Sequence, residues 1–183
     1  MVRSIAIVVA LLVGAVSAQA TTLDFSEAGS GNLNQKSLHL DAGSVYSGAD
    51  SLYVGAGGID GSICALSTSN WNCANDLYIG FQAPVTDLSF DVGGYGYGDF
   101  VKVSVFDGAG DFTDRFNIHR GGSFDLSGYG SISGLFFDDR SRASGVSYGN
   151  FDYVAAVPLP ASLPLLLAGI AGLGFARRKR DAA

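Results

Sequence analysis

Histidine, cysteine, tryptophan and methionine are nearly missing from this chain: two, two, one and one among 183 residues. That scarcity excludes several kinds of site. There is no His-Glu-x-x-His stretch. Two cysteines with no histidine nearby make at most half a zinc site. Charge is also scarce, at 15% of residues, and positive charge is the scarcer sign, with 11 basic against 17 acidic residues. Asp181 and the basic residues Arg3, Arg177, Arg178, Lys179 and Arg180 belong to the two ends of the chain. The segment 21–156 therefore keeps 16 acidic and 6 basic residues, a net charge of −10. Such a surface repels phosphates, so nucleic acid is not expected as a partner. It suits solubility outside the cell, or the binding of cations. No window of ten or more residues has an amphipathic helical period, which excludes a helix bundle. No repeat of fixed length is present, which excludes a solenoid or propeller.

What the chain does have lies first at its two ends. Arg3 is a minimal positive start, Ile5–Val16 is an apolar run, and Ala18-Gln19-Ala20 has the small-x-small form of a signal-peptidase site. Residues 1–20 are thus expected to be a signal peptide, removed after Ala20. At the other end, the 20 residues from Val157 to Ala176 carry no charge and lead into Arg177-Arg178-Lys179-Arg180. Pro158, Pro160 and Pro164 keep the first part extended, with Ser162 placed to cap a helix over Leu163–Ala176. That helix would be about 21 Å long, short for a bilayer unless the arginines snorkel or the bilayer thins. Ala168, Gly172 and Ala176 form a small-x-x-x-small face along it. The basic cluster predicts a cytoplasmic C-terminus, with everything before Val157 outside.

The order of Val157-Pro158-Leu159-Pro160-Ala161, apolar helix and basic cluster resembles the PEP-CTERM type of bacterial sorting signal, in its VPLPA form. Leu159 stands where that family's glutamate would be. The resemblance implies an exosortase, a membrane-embedded cysteine transpeptidase-like enzyme, as processing partner alongside signal peptidase. It also implies a membrane-anchored stage before the exported part is released or transferred, and a setting of exopolysaccharide or biofilm.

Between the ends, residues 21–156 make one domain of ordinary size, with the texture of an all-β protein. Strands are expected at Thr21–Ser26, Ser37–Leu40, Ser51–Val54, Leu77–Gln82, Val85–Asp91, Phe100–Asp107, Phe112–His119, Ser123–Leu126, Ser131–Phe137 and Ser147–Val154. Leu88, Phe90 and Val92 alternate with Asp87, Ser89 and Asp91, and Val101, Val103 and Val105 alternate with Lys102 and Ser104. Asp107-Gly108-Ala109-Gly110-Asp111 is expected to turn a hairpin. This many strands in this length suggests a two-sheet β-sandwich of jelly-roll type, with an immunoglobulin-like sandwich as the alternative.

Few residues carry chemistry. Cys64 and Cys73 in an exported chain are expected to form one disulfide. His39 and His119 each fall in an expected strand, with no partner set around them, so no catalytic residue is expected and the domain is read as non-enzymatic. Asp107 and Asp111, with Asp114 and Asp99, are candidates for a calcium site, as are Asp138, Asp139 and Asp152; ordinary turn chemistry competes with that reading. Otherwise no cofactor is expected. Tyr95 and Tyr97 in Gly93-Gly94-Tyr95-Gly96-Tyr97-Gly98, and Trp71 in the disulfide loop, offer flat faces for sugar rings. The reading is an exported envelope or matrix protein associated with exopolysaccharide, with a carbohydrate-binding module or a glycan hydrolase as alternatives. Cleavage after Ala20 and again near Pro158–Ala161 would leave about 137–141 residues outside the membrane. Intact-mass analysis of exported protein checks this; a chain still ending in Ala183 would remove the sorting step.

Overall fold

The computed structural model describes residues 20–141 and 145–155. The expected signal peptide up to Gln19, the sorting motif, the apolar helix and the basic cluster lie outside the described residues. Within them the protein is all-β. Twelve strands form one antiparallel hydrogen-bonded network: β1 Ala20–Leu23, β2 Gly31–Asn32, β3 Ser37–Leu40, β4 Gly43–Ser47, β5 Ser51–Val54, β6 Ile63–Leu66, β7 Leu77–Gly93, β8 Val101–Asp107, β9 Phe112–Ile118, β10 Gly122–Asp125, β11 Ile132–Asp139 and β12 Ser147–Ala155. Two short 3-10 turns, Ser26–Ala28 and Ser127–Tyr129, are the helical pieces described. No helix among the described residues is long and apolar enough to cross a membrane.

Three strands escape the sequence pattern, for two reasons. β4 (GSVYS) and β2 (GN) have the composition of turns, yet β4 is paired on both sides, with β3 and β7. β6 (ICAL) is buried at all four positions, so it shows no polar alternation to reveal it.

The two strands expected at Leu77–Gln82 and Val85–Asp91 are in fact one. β7 runs 17 residues through Pro84. Its first part, Leu77–Phe81, lies between β4 and β11. Its second part, Val85–Gly93, lies between β12 and β10. Pro84 falls where the neighbours change, a place where a missing N–H costs no ladder bond. Just beyond it the register with β12 slips twice, and each slip brings a left-handed residue: Asp87 at φ 51° on β7 and Asn150 at φ 48° on β12. Asp and Asn tolerate that conformation better than most side chains, and bulges of this kind bend and twist a strand. Below the bend the buried residues of β7 are odd-numbered (Leu77, Ile79, Phe81, Val85); above it they are Leu88, Phe90 and Val92.

The strands thus fall into two groups that share β7. One runs β3-β4-β7-β11-β8-β9, and the other β2-β5-β6-β12-β7-β10, with β1 alongside β12. Aromatic rings from both groups meet in the core. Phe90 of β7 stacks on Phe151 of β12 and Phe124 of β10, with ring centres 5.4 and 5.6 Å apart, and meets Phe137 of β11 edge-on at 5.4 Å. Phe137 in turn lies 4.1 Å from Tyr148 of β12. Pairs of this kind contribute about 0.5–1.5 kcal/mol each beyond their buried area.

The expected disulfide is present. Cys64 on β6 and Cys73 are bonded, with Cα atoms 5.5 Å apart. The bridge closes a short loop, worth about 2.5–3 kcal/mol in the chain-entropy model. Cys73→Ser should therefore lower the stability measured in urea by about 2–3 kcal/mol and leave the fold intact, since the aromatic core lies elsewhere.

Candidate functional site

The group β3-β4-β7-β11-β8-β9 turns one face to the core and one to solvent. Successive side chains on a strand point to opposite faces. The buried residues Val45, Ile79, Leu135 and Val105 therefore send their neighbours Tyr46, Tyr78, Phe136 and Phe106 outward. Register then lines these residues up. Tyr46 is directly opposite Tyr78, Tyr78 opposite Phe136, and Phe106 opposite Phe112.

The result is a row of rings that crosses the sheet at right angles to its strands. His39 meets Tyr46 at 5.9 Å, Tyr46 meets Tyr78 at 6.2 Å, Tyr78 meets Phe106 at 6.1 Å, and Phe106 meets Phe112 at 6.4 Å. Tyr46 and Phe112, near the two ends, are 46% and 55% exposed. In the middle, Tyr78 lies over two glycines. A Cβ on Gly134 would come within 2.6 Å of the Tyr78 hydroxyl oxygen, and one on Gly80 within 3.0 Å of its ring. Gly80 and Gly134 are paired across β7 and β11, so their lack of side chains lets the ring lie low.

Polar groups border the row. Ser44 and His39 are cross-strand partners joined at 2.8 Å. At the far end the Arg115 guanidinium lies 5.4 Å from the Phe112 ring centre, while its Nε donates to the Ser104 hydroxyl at 3.1 Å. A shallow depression of about 310 Å³ opens beside Ser44, Tyr46 and Gly80. Of these rings only His39 was singled out in the sequence, and not for stacking; Tyr46, Tyr78, Phe106 and Phe112 were not. The signal was there: an aromatic residue at the outward phase of β4, β7 and β8, next to a buried aliphatic one. What ranks such positions is register between distant strands, which one sequence does not give.

The three aromatic residues that the sequence did single out are separated. Trp71 is 67% exposed at the tip of the disulfide loop, with φ 51°, a conformation that costs a non-glycine residue roughly 1–2 kcal/mol. The loop is held by the disulfide, by the Ser67 N–H bonded to the Asn72 carbonyl at 2.9 Å, and by Asp50, which accepts from the Thr68 N–H and hydroxyl at 2.9 and 3.1 Å. With Tyr53 and Leu66, Trp71 edges an open cleft of about 420 Å³. Tyr97 is fully exposed and lies in a different hollow, with Phe100, Lys102 and Arg140. Tyr95 is a structural residue. Its hydroxyl oxygen is 2.6 Å from both the Asp99 and Ile118 carbonyls, and burial, helped by the nearby charges of Asp99 and Asp139, pushes its pKa up to about 12. Tyr95 is therefore spent on fixing the glycine-rich loop and does not offer a free face.

The acidic candidates also part company. Asp107 accepts the N–H groups of Ala109 and Asp111 at 2.9 and 3.0 Å, which is how it closes the β8–β9 hairpin. Asp114 takes the Arg115 N–H and the Tyr129 hydroxyl, which hold its carboxyl below the usual range. Asp138 pairs with Arg140 at 2.5 Å, and Asp152 accepts from Thr22. Asp139 is buried; burial pushes its carboxyl above the usual range, against donation from the Ser141 hydroxyl, the Ser141 N–H at 2.8 Å and the Val146 N–H at 3.3 Å. Among the described residues no three His, Cys, Asp or Glu side chains gather as a metal-binding group. His39 lies on β3 and His119 just past the end of β9, at opposite edges of the six-strand group. His119 stacks on Phe100 at 5.3 Å.

Comparison with known proteins reaches the tail and not the sheet. The family model described as the PEP-CTERM protein-sorting motif matches residues 156–180. No curated protein matches the chain. The tail thus carries a PEP-CTERM sorting motif, the mark of an extracellular protein processed by an exosortase and held in the membrane only for a time.

The raised carboxyl of Asp139 has a consequence for stability. A group whose folded pKa lies above its unfolded value contributes stability below the unfolded pKa and loses it as pH rises through the folded one. Asp76, also raised by burial and by the charge of Asp138, acts in the same sense. With a chelator present, melting temperature should fall as pH is raised from about 3.8 through neutrality. Asp139→Asn, which cannot ionise, should flatten that slope; an unchanged slope across a pH series of thermal melts would contradict it.

Proposed function

We propose that the β domain is a non-enzymatic glycan-binding module of the extracellular matrix, and that the His39–Phe112 row of rings is where it holds exopolysaccharide. The observation that carries this reading is the unbroken series of ring contacts across an outward sheet face, lowered over Gly80 and Gly134 and bordered by hydroxyls and a guanidinium. Aromatic faces cover the CH patches of sugar rings, and polar neighbours exchange hydrogen bonds with the hydroxyls. An open row suits a chain better than a small metabolite, which is ordinarily enclosed in a pocket.

The route to that place follows from the two ends of the chain. Residues 1–20 direct export, the apolar run Leu163–Ala176 anchors the chain with Arg177–Arg180 on the cytoplasmic side, and exosortase cuts near Pro158–Ala161. The jelly-roll reading of the fold belongs here too. It is supported by the β4–β5, β9–β10 and β11–β12 connections, each of which passes from one strand group to the other, and by the bend of β7 between them.

The test is retention on the exopolysaccharide of the producing organism. Each ring should contribute on the order of 1 kcal/mol, so Tyr78→Ala should weaken binding about five-fold, from a starting affinity in the millimolar to micromolar range. Tyr46→Ala/Phe106→Ala should abolish retention, while Trp71→Ala and Tyr97→Ala should leave most of it. Equal retention of wild type and the folded row variants would overturn the assignment. Loss of self-association in those variants, with retention unchanged, would instead mark the row as a contact between copies.

A further inference from the structure

Asp99 Oδ1 and the Tyr148 hydroxyl are buried oxygens without a hydrogen-bond partner among the described residues, and the buried Ser141 hydroxyl lies beside the Asp139 carboxyl. They belong to a single corner. β8 and β11 are paired with Val101 opposite Asp139, and the ladder continues with the Arg140 N–H bonded to the Phe100 carbonyl at 2.9 Å. Asp99 and Ser141 lie one residue beyond it on each side. Alternation therefore puts Asp99, Ser141 and Asp139 on one face, the same face as the buried Val101 and Phe137. Tyr148 stacks on that Phe137, two residues before Asp139.

Asp99 is 4% exposed, Asp139 7% and Tyr148 1%. Asp99 Oδ2 accepts the Gly96 N–H at 2.7 Å, which leaves Oδ1 free, and the oxygens of Asp139 each take one N–H. Two carboxyl groups thus share a dry corner with a hydroxyl and a phenol, all of them oxygen donors. Arg140 and Asp138 belong to the other face of β11, where they pair with each other. Lys102 lies between Asp139 and the β9 edge, also on the outer face.

A buried oxygen without a partner is costly, and a carboxylate without a counter-charge is the costliest case. A hard cation would answer all of them together. Oxygen-only donors without His or Cys select such a cation over zinc or copper. An irregular set favours calcium over magnesium, which demands near-ideal octahedral geometry.

We propose that this corner is a calcium site, built from Asp99, Asp139, Ser141 and Tyr148. Calcium there ties the start of β8 and the end of β11 to β12, and extracellular modules bind it at roughly 10⁻⁴–10⁻³ M. It is separate from the Asp107–Asp111 hairpin, whose carboxylate is already used by its own turn.

The experiment uses the full chain in detergent, freed of divalent ions by chelation. Terbium is added and its emission is excited through tyrosine, since Tyr148 and Tyr95 adjoin the corner. Wild type should show sensitised emission that calcium displaces and magnesium does not. Calcium at a hundred-fold excess over its Kd should raise the melting temperature by roughly 5–10 °C. Asp99→Asn should lose the emission and at least ten-fold in calcium affinity, and Asp111→Asn should lose neither. If Asp99→Asn does not fold, Tyr148→Phe carries the comparison, because it keeps the ring and removes the oxygen; it should bind calcium several-fold more weakly. Absence of sensitised emission in wild type, or unchanged affinity in the folded corner variants, would overturn the site and leave a retained proton as the means by which the corner is neutralised.

Discussion

The structure depends on one strand that changes partners part-way along. β7 supplies a central ladder to both strand groups, so neither half of the network is complete without it. The change requires a point where no ladder bond is needed and the side-chain alternation can shift phase. Pro84 meets the first requirement, and the paired bulges at Asp87 and Asn150 meet the second. A straight strand would keep Leu77, Ile79 and Phe81 in phase with Asp87, Ser89 and Asp91, and would turn three polar side chains toward the core. The left-handed residues cost something locally, but they keep Leu88, Phe90 and Val92 buried.

Phe90 is the immediate beneficiary. It lies just past the bend and touches rings from β10, β11 and β12. The core is therefore an aromatic cluster seated on the shared strand, with aliphatic residues of β8 and β11 around it. Because the same strand also presents Tyr78 outward between Leu77 and Ile79, the position of the exterior row follows from the same ladder. Inner packing and outer row are two faces of one register, and a slip of one residue in β7 would exchange them.

Much of this was legible in the sequence wherever alternation is local. Val101–Asp107 and Phe112–Ile118 with their Asp-Gly turn, Ser37–Leu40, Ser51–Val54 and the disulfide all follow from short-range pattern and turn chemistry. The failures share one cause. β6 is buried on both faces, β4 is written in turn residues, and β7 contains a proline; in each, distant partners decide the outcome. The site was less legible than the fold for the same reason. Trp71 and Tyr97 stand out in sequence because they sit among glycines and polar residues, and they prove to be isolated. Tyr46, Tyr78 and Phe106 look ordinary in sequence because each is flanked by core residues, and yet those strands bring them into one row.

The acidic composition has a similar lesson. Sixteen carboxylates over 21–156 give many candidate pairs, and spacing along the chain favoured Asp107 with Asp111, four residues apart. Proximity in sequence is what makes a turn, and the hairpin consumes that carboxylate. Asp99 and Asp139 are forty residues apart, and only the β8–β11 pairing brings them to one face. Burial then separates their situation from that of the others. The exposed acids Asp24, Asp50, Asp114 and Asp125 are each stabilised as anions by nearby N–H or hydroxyl donors, and water screens what remains. The Asp99–Asp139 corner is buried, so negative charge held there costs more than charge on the exposed acids.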